Sequence, residues 1–413
     1  MRPLTLHAIV IAAVIAVQPA AGQHHPAPDP DASEIRMPEG KDSVTLPLRT
    51  SGNHVLLPVS VNGSEPLPLI LDTGMPIPGI LLFHSDRLES LSLEYVPGRA
   101  QVGGAGGDGK RLEGRVASGV RLALGGLGID PVRAIVFPAI ENFSLPHAGV
   151  IGTTILRNFT VRIDYDAGQV VLARPGTLAP PAGATEVPLE LAGNIAYVKA
   201  GVILANGKEV PVNLVLDLGA THPVSLNAGS SDLIGTPQEA LATRVGRGVS
   251  GEVRGRVGRI AGFTLGGHRL DGVIATFPDP EHENPRGMDS RNGNLGMGIL
   301  RHFNLTLDYA AGNLYVEPNR SFSEPFEWDM SGITTDPAAE QGLNVAEIVP
   351  GSPAAEAGLK EGDLLIAVDG EPLSSSDGVL LRERFLRDGA DVSLSFVREG
   401  KTQTAEIKLR RLI

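Results

Sequence analysis

Cysteine is absent from this chain of 413 residues. Disulfides, lipidated cysteines and thiolate zinc sites are therefore excluded, and an exported chain that folds without disulfides suits a periplasm, where stray thiols are oxidised. Aromatic residues are scarce, at 4% with one tryptophan, whereas glycine numbers 51 and proline 32. That balance favours many short strands and turns over long helices, so the fold is expected to be mostly β. Excess positive charge is lacking too. The formal net charge of -12 argues against a nucleic-acid partner, because phosphate affinity comes from concentrated Lys and Arg. The acidic loop Asp279 to Asn294 has no metal-ligand spacing, and neither a metal nor a cofactor is expected.

Long apolar runs are missing except at the N-terminus, where Leu6 to Val17 follows Arg2 and precedes Ala20-Ala21-Gly22. Residues 1–22 read as a secretory signal peptide with small residues before the cleavage point. The run falls short of the roughly 20 residues of a membrane span, and it would tether the chain to a membrane only if retained. The expected location is exported, periplasmic or secreted. Residues 23–43 are rich in Pro, His, Asp and Ala and are expected to be a disordered tether, with His24-His25 as plain tail.

What the chain has is a repeat. Val55 to Val61, the turn Asn62-Gly63 and Leu67 to Leu71 form a predicted hairpin that delivers Asp72 to a glycine turn, Asp72-Thr73-Gly74. Ala196 to Leu204, Asn206-Gly207 and Val210 to Leu216 repeat the device and end in Asp217-Leu218-Gly219-Ala220. Downstream, Ile151 to Phe159 aligns with Leu295 to Phe303, and the alternating strands Val161 to Tyr165 and Leu305 to Tyr309 follow. Two copies of one β-rich lobe are expected over 44–175 and 186–318. Ser321 to Trp328 reads as a linker to a third unit over 330–413.

The residues Asp72-Thr73-Gly74, the degenerate Asp217-Leu218-Gly219-Ala220, and Val150-Ile151-Gly152 with Asn294-Leu295-Gly296 resemble the aspartic peptidases of the retropepsin and pepsin kind. The resemblance implies two duplicated β-barrel lobes in a bilobal acid-protease fold, with Asp72 and Asp217 as catalytic acids and Thr73, Gly74, Leu218, Gly219 and Ala220 as supporting loops. The enzyme it implies is an aspartic-type endopeptidase, a hydrolase acting on polypeptide substrates. Its chemistry is physically coherent. Two carboxylates about 3 Å apart cannot both ionise, so one takes a proton from a water while the other polarises the peptide carbonyl. In the family, Thr or Ser follows each acid and bonds across to the opposite loop; Leu218 cannot.

Two glycine-rich stretches fit G-x-G-x-x-G, but neither opens an apolar helix, so phosphate binding is set aside. Gly104, Gly106, Gly107, Gly248 and Gly251 are expected instead in flap hairpins over the cleft. Arg244, Arg247, Arg254, Arg256 and Arg259 read as a solvated face, or as a cationic rim for acidic peptides. His222 reads as a structural histidine or a cleft residue.

The third unit resembles a PDZ domain, a small α+β module, through Gly351-Ser352-Pro353-Ala354-Ala355, Gly362-Asp363 and Val368-Asp369-Gly370. Gly342, Leu343, Asn344 and Val345 are expected to bind a peptide or protein C-terminus. The leading expectation is an exported endopeptidase whose PDZ recruits or regulates substrates. The alternatives are a catalytically impaired peptide-binding scaffold and a PDZ adaptor.

Overall fold

The computed structural model describes residues 9–10, 14–18, 33–104, 106, 111–138, 147–248, 250–280, 291–338 and 341–413. The signal cleavage point, His24-His25 and Gly107 lie outside the described residues. The chain is mostly β, and alternating apolar side chains explain why. In His54–Val61 and Leu67–Leu71 the side chains pack without solvent exposure at Val55, Leu57, Val59, Leu69 and Leu71. The turn between them places Asn62 at φ 51° and Gly63 at φ 84°, the left-handed pair that a two-residue hairpin loop requires. Lobe 2 repeats the hairpin with Ile195–Ile203 and Glu209–Asp217.

In each lobe a short strand enters parallel to the acid-bearing one. Gly149–Ile151 pairs with Leu69 to Leu71, and Gly293–Gly296 pairs with Leu214 to Asp217. Each is followed by one helical turn, Thr153–Leu156 or Met297–Leu300. The lobes are sewn together by a shared sheet, in which Thr160–Asp164 of lobe 1 lies antiparallel to Phe303–Asp308 of lobe 2. The two alternating strands of the sequence repeat thus meet each other across the pseudo-twofold axis.

Part of the expected tether is sheet: Glu34–Arg36 pairs with Gly128 to Asp130, and Ser43–Pro47 with Gln169 to Ala173. Near the N-terminus, Val14–Gln18 lies antiparallel to Arg99 through Gly103, and Ile9–Val10 parallel to Arg247 and Gly248. The expected linker at 321–328 is not loose. Phe326 is buried, Phe322 and Trp328 pack on the main core, and the His302 ring bonds the Ser321 carbonyl at 2.5 Å. The C-terminal unit has its own core, including Leu343, Leu365, Leu381, Phe385 and Leu394. Among the described residues no helix is long and apolar enough to cross a membrane.

Candidate functional site

Asp72 and Asp217 emerge at the ends of matched strands, and neither has any solvent exposure. The glycines show how closely the two loops approach. A Cβ on Gly74 would stand 2.8 Å from Asp217 Oδ1, and one on Gly219 would stand 2.4 Å from Asp72 Cγ. Each acid therefore faces the other lobe's glycine, and no larger residue fits there. The Gly74 N–H donates to Asp72 Oδ1 at 2.6 Å, and the Gly219 N–H donates to Asp217 Oδ1 at 3.1 Å. Burial raises the pKa of both carboxyls above the ordinary range, and for Asp72 the neighbouring Asp217 raises it further. A buried pair so placed holds one proton between them.

The cross-lobe lock is one-sided. Thr73 donates its hydroxyl to the Leu216 carbonyl at 2.5 Å and accepts the Leu218 N–H at 2.9 Å. Leu218 returns no such bond and packs in the core with Ala220, both without exposure. Further links hold the loops, and sequence reasoning missed them. Asn53 Nδ2 donates to the Thr221 carbonyl at 2.8 Å, and Asn194 Nδ2 donates to the Pro76 carbonyl at 2.6 Å. The signal was present in the repeat, since Gly52-Asn53 and Gly193-Asn194 occupy matched places before their strands. His54 Nε2 meets the Gly219 carbonyl at 2.9 Å; its lobe 2 counterpart is Ile195.

Asn294 lies in the buried strand Gly293–Gly296. It donates from Nδ2 to Asp217 Oδ2 at 3.0 Å. The matched residue in lobe 1 is Val150, and Asp72 Oδ2 is buried without a hydrogen-bond partner among the described residues. His222 is buried, and that burial lowers its pKa to about 4. With Asn53, Thr221, Trp328 and Arg382 it lines a cavity of about 60 Å³ between the lobes and the C-terminal unit.

The glycines expected in flaps lie at the ends of the hairpins Glu94–Gly103 with Leu112–Leu124 and Leu241–Gly248 with Gly251–Arg259. Their tips touch: the Gly104 N–H donates to Ser250 Oγ at 2.9 Å, and a Cβ on Gly106 would stand 2.1 Å from the Gly251 carbonyl oxygen. Gly248 pairs with Gly251 at the end of the second hairpin.

Packing sorts the arginines of the second hairpin and corrects one further expectation. Arg254 and Arg256 are exposed and alternate with the buried Val253 and Val257, as a solvated strand face does, whereas Arg244 is buried. Arg244 is 4% exposed, and its guanidinium bonds Glu252, Asp336 and the Thr335 carbonyl, while Arg254 pairs with Glu347. Arg244, Arg247 and Arg254 thus reach the C-terminal unit, while Arg256 donates to the Ala240 carbonyl within lobe 2. In the C-terminal unit, Gly342, Leu343, Asn344 and Val345 do not offer a peptide-binding edge. Leu343 and Asn344 pair on one side with Pro337 and Asp336 and on the other with Leu365 and Leu364. Val345 exchanges bonds with Asp363 and Gly362, and a side chain on Gly342 would meet the Leu365 carbonyl at 2.4 Å. The sheet ends in Ile333–Pro337 on one side and Lys401–Lys408 on the other.

Comparison with known proteins follows these divisions. The family model described as aspartyl protease matches residues 57–155 and again 200–299, and that described as PDZ domain matches 328–409. Curated relatives include a probable periplasmic serine protease do/HhoA-like of Haemophilus influenzae, 36% identical over 18% of this chain and 16% of its own. The periplasmic serine endoprotease DegP of Salmonella typhimurium is 34% identical over 18% of this chain and 15% of its own. A probable periplasmic serine endoprotease DegP-like of Pseudomonas putida is 26% identical over 52% of this chain and 38% of its own. The chain spans 16% and 15% of the length of the first two relatives. These names correct the enzyme type expected from the sequence: the relatives are serine proteases, and the assignment as an aspartic-type endopeptidase is withdrawn. The family models divide this chain into a protease-type unit that occurs twice and a PDZ domain, and the named relatives are periplasmic proteases.

Proposed function

We propose that this protein is an exported, periplasmic protease that draws an extended polypeptide between its two lobes, into the cleft where Asp72 and Asp217 meet, and cleaves it there. The observation that carries the reading is the pair of acids itself, buried, delivered by matched strands and each set against the opposite lobe's glycine. The N-terminal segment supports an extended substrate, since Val14–Gln18 and Ile9–Val10 lie as strands along the two flap hairpins. The PDZ domain binds polypeptide and regulates entry.

A second reading, a peptide-binding scaffold without turnover, draws on Leu218, which leaves the lock to Thr73 alone. The deciding experiment incubates the full chain with an unfolded polypeptide from about pH 3 to 7. Asp72→Asn and Asp217→Asn are each expected to abolish cleavage. Cleavage that survives both and is stopped by a serine-directed fluorophosphonate would move the chemistry to a serine, as in the named relatives. Binding without cleavage would establish the scaffold.

A further inference from the structure

Ile333–Pro337 is one of the two terminal strands of the PDZ sheet, and helix Gly378–Arg384 packs beside it. A terminal strand next to a helix is where an extended peptide adds to such a sheet. Here the place is filled from two directions. In the loop that feeds the strand, Asp329 Oδ1 accepts the N–H groups of Ser331 and Gly332 at 3.0 and 2.7 Å and the Ser331 hydroxyl at 2.8 Å. Ser331 Oγ in turn accepts the Ile333 N–H at 3.0 Å. The amides that would hold a terminal carboxylate already hold an internal one.

Lobe 2 fills the rest. Arg244 Nη2 donates to the Thr335 carbonyl at 2.9 Å, and Asp336 receives Arg244 at 2.9 Å and Arg247 at 3.3 Å. On the next strand, Glu347 accepts the Arg244 N–H at 3.0 Å and pairs with Arg254 at 2.8 Å. Between this hairpin and the PDZ loop remains a cavity of about 20 Å³, lined by Leu241, Arg244, Trp328, Asp329, Ile333 and Arg382. That is room for about one water and not for a peptide.

We propose that the PDZ domain is a latch: its peptide-binding edge, Ile333–Pro337, is occupied by the arginine face of lobe 2's flap hairpin, and a basic extended polypeptide opens it by replacing Arg244, Arg247 and Arg254. The opening ligand must bring cations, because withdrawing Arg244 alone leaves half-buried acids unpaired. A free C-terminus adds nothing, because Asp329 occupies its seat. The hairpin that must leave the PDZ carries Ser250 and Gly251, which touch the lobe 1 hairpin. PDZ occupancy and flap position are thereby linked, and the linkage runs both ways. This holds whatever chemistry the cleft performs.

The test uses the full chain and a synthetic peptide of alternating lysine and valine, prepared as the free acid and as the amide. Trp328, the one tryptophan, lines both cavities at this junction and reports binding by fluorescence. Arg244→Gln is expected to bind the peptide about tenfold more tightly than the wild type. Acid and amide should bind alike, and saturating peptide should speed hydrogen exchange across 241–259 in the wild type. Equal affinity in wild type and variant, or unchanged exchange at saturation, would overturn the latch. A preference of about tenfold for the free acid would overturn the self-capped loop. Should Arg244→Gln fail to fold, Arg247→Gln with Arg254→Gln removes the more exposed arms, at 26% and 51% side-chain exposure.

Discussion

Asp72 and Asp217 occupy matched places in a repeat, yet their surroundings differ. Asp217 has a partner on each oxygen, Gly219 and Asn294, whereas Asp72 has Gly74 on one and none on the other among the described residues. Both are raised in pKa by burial. A raised carboxyl contributes stability that is full below its unfolded value of about 4 and lost as pH climbs through the folded one. Asp72→Asn is therefore expected to raise the melting temperature at about pH 8 and to change it little at about pH 4. Calorimetry showing the same shift at both would remove burial of charge as the cause. Histidine works in the opposite direction. Burial lowers His54 and His222 to about 4, so their contribution is present above the ordinary value of about 6.5 and fades as pH falls toward 4. The wild type should lose melting temperature over that window, and His54→Asn should lose less. A parallel decline in both would show that His54 does not set the acid limit. The acids, glycines and Thr73 were readable in the sequence because the repeat marked them. Asn294 was not, because an amide within a buried strand of the repeat has no meaning until Asp217 is seen beside it.

At the scale of elements, hairpins were legible wherever alternation met a turn dipeptide, as at Asn62-Gly63. Interfaces were not. Arg254 and Arg256 alternate with Val253 and Val257 as a half-exposed strand does, and the acids that claim the arginine face, Asp336 and Glu347, lie some 90 residues away in the chain. The PDZ loop was misplaced for a related reason, since an apolar run after a glycine reads the same whether its strand is paired on one side or two. The asparagines before each lobe's first hairpin give an element-level prediction. Asn53→Ala and Asn194→Ala each leave a carbonyl of the opposite acid loop without its donor. Each should cost about 1 to 3 kcal/mol in urea unfolding. Because Asn53 reaches Thr221 and Asn194 reaches Pro76 in matched geometry, the two losses should be alike. A loss confined to one of them would mean that the pseudo-symmetry does not extend to the energetics.

The whole molecule is three units by sequence, but its packing ties them together. The lobes share one sheet through Val161 to Ile163 and Leu305 to Leu307. The PDZ domain keeps a separate apolar core, and what fastens it is mixed: Phe326, Trp328 and Ile413 packed on the main core, and arginines from lobe 2. Arg259 donates to the Phe326 carbonyl at 2.9 Å and approaches Glu327 at 3.8 Å, which Arg411 also holds at 2.6 Å. The Arg411 arm is more than half exposed, so it is weak and screened by salt. Arg244, at 4% exposure, is the anchor that salt reaches least. The full chain is accordingly expected to melt in a single calorimetric transition in which the PDZ and the lobes unfold together. Adding about 0.5 M sodium chloride should leave it single, because screening acts on the exposed arms alone. Arg244→Gln combined with Arg259→Gln should split it in two, with the smaller heat belonging to the PDZ domain. Two transitions in the wild type at low salt would mean that the domain rides on its linker, and the arginine face would then carry no coupling between PDZ and flap.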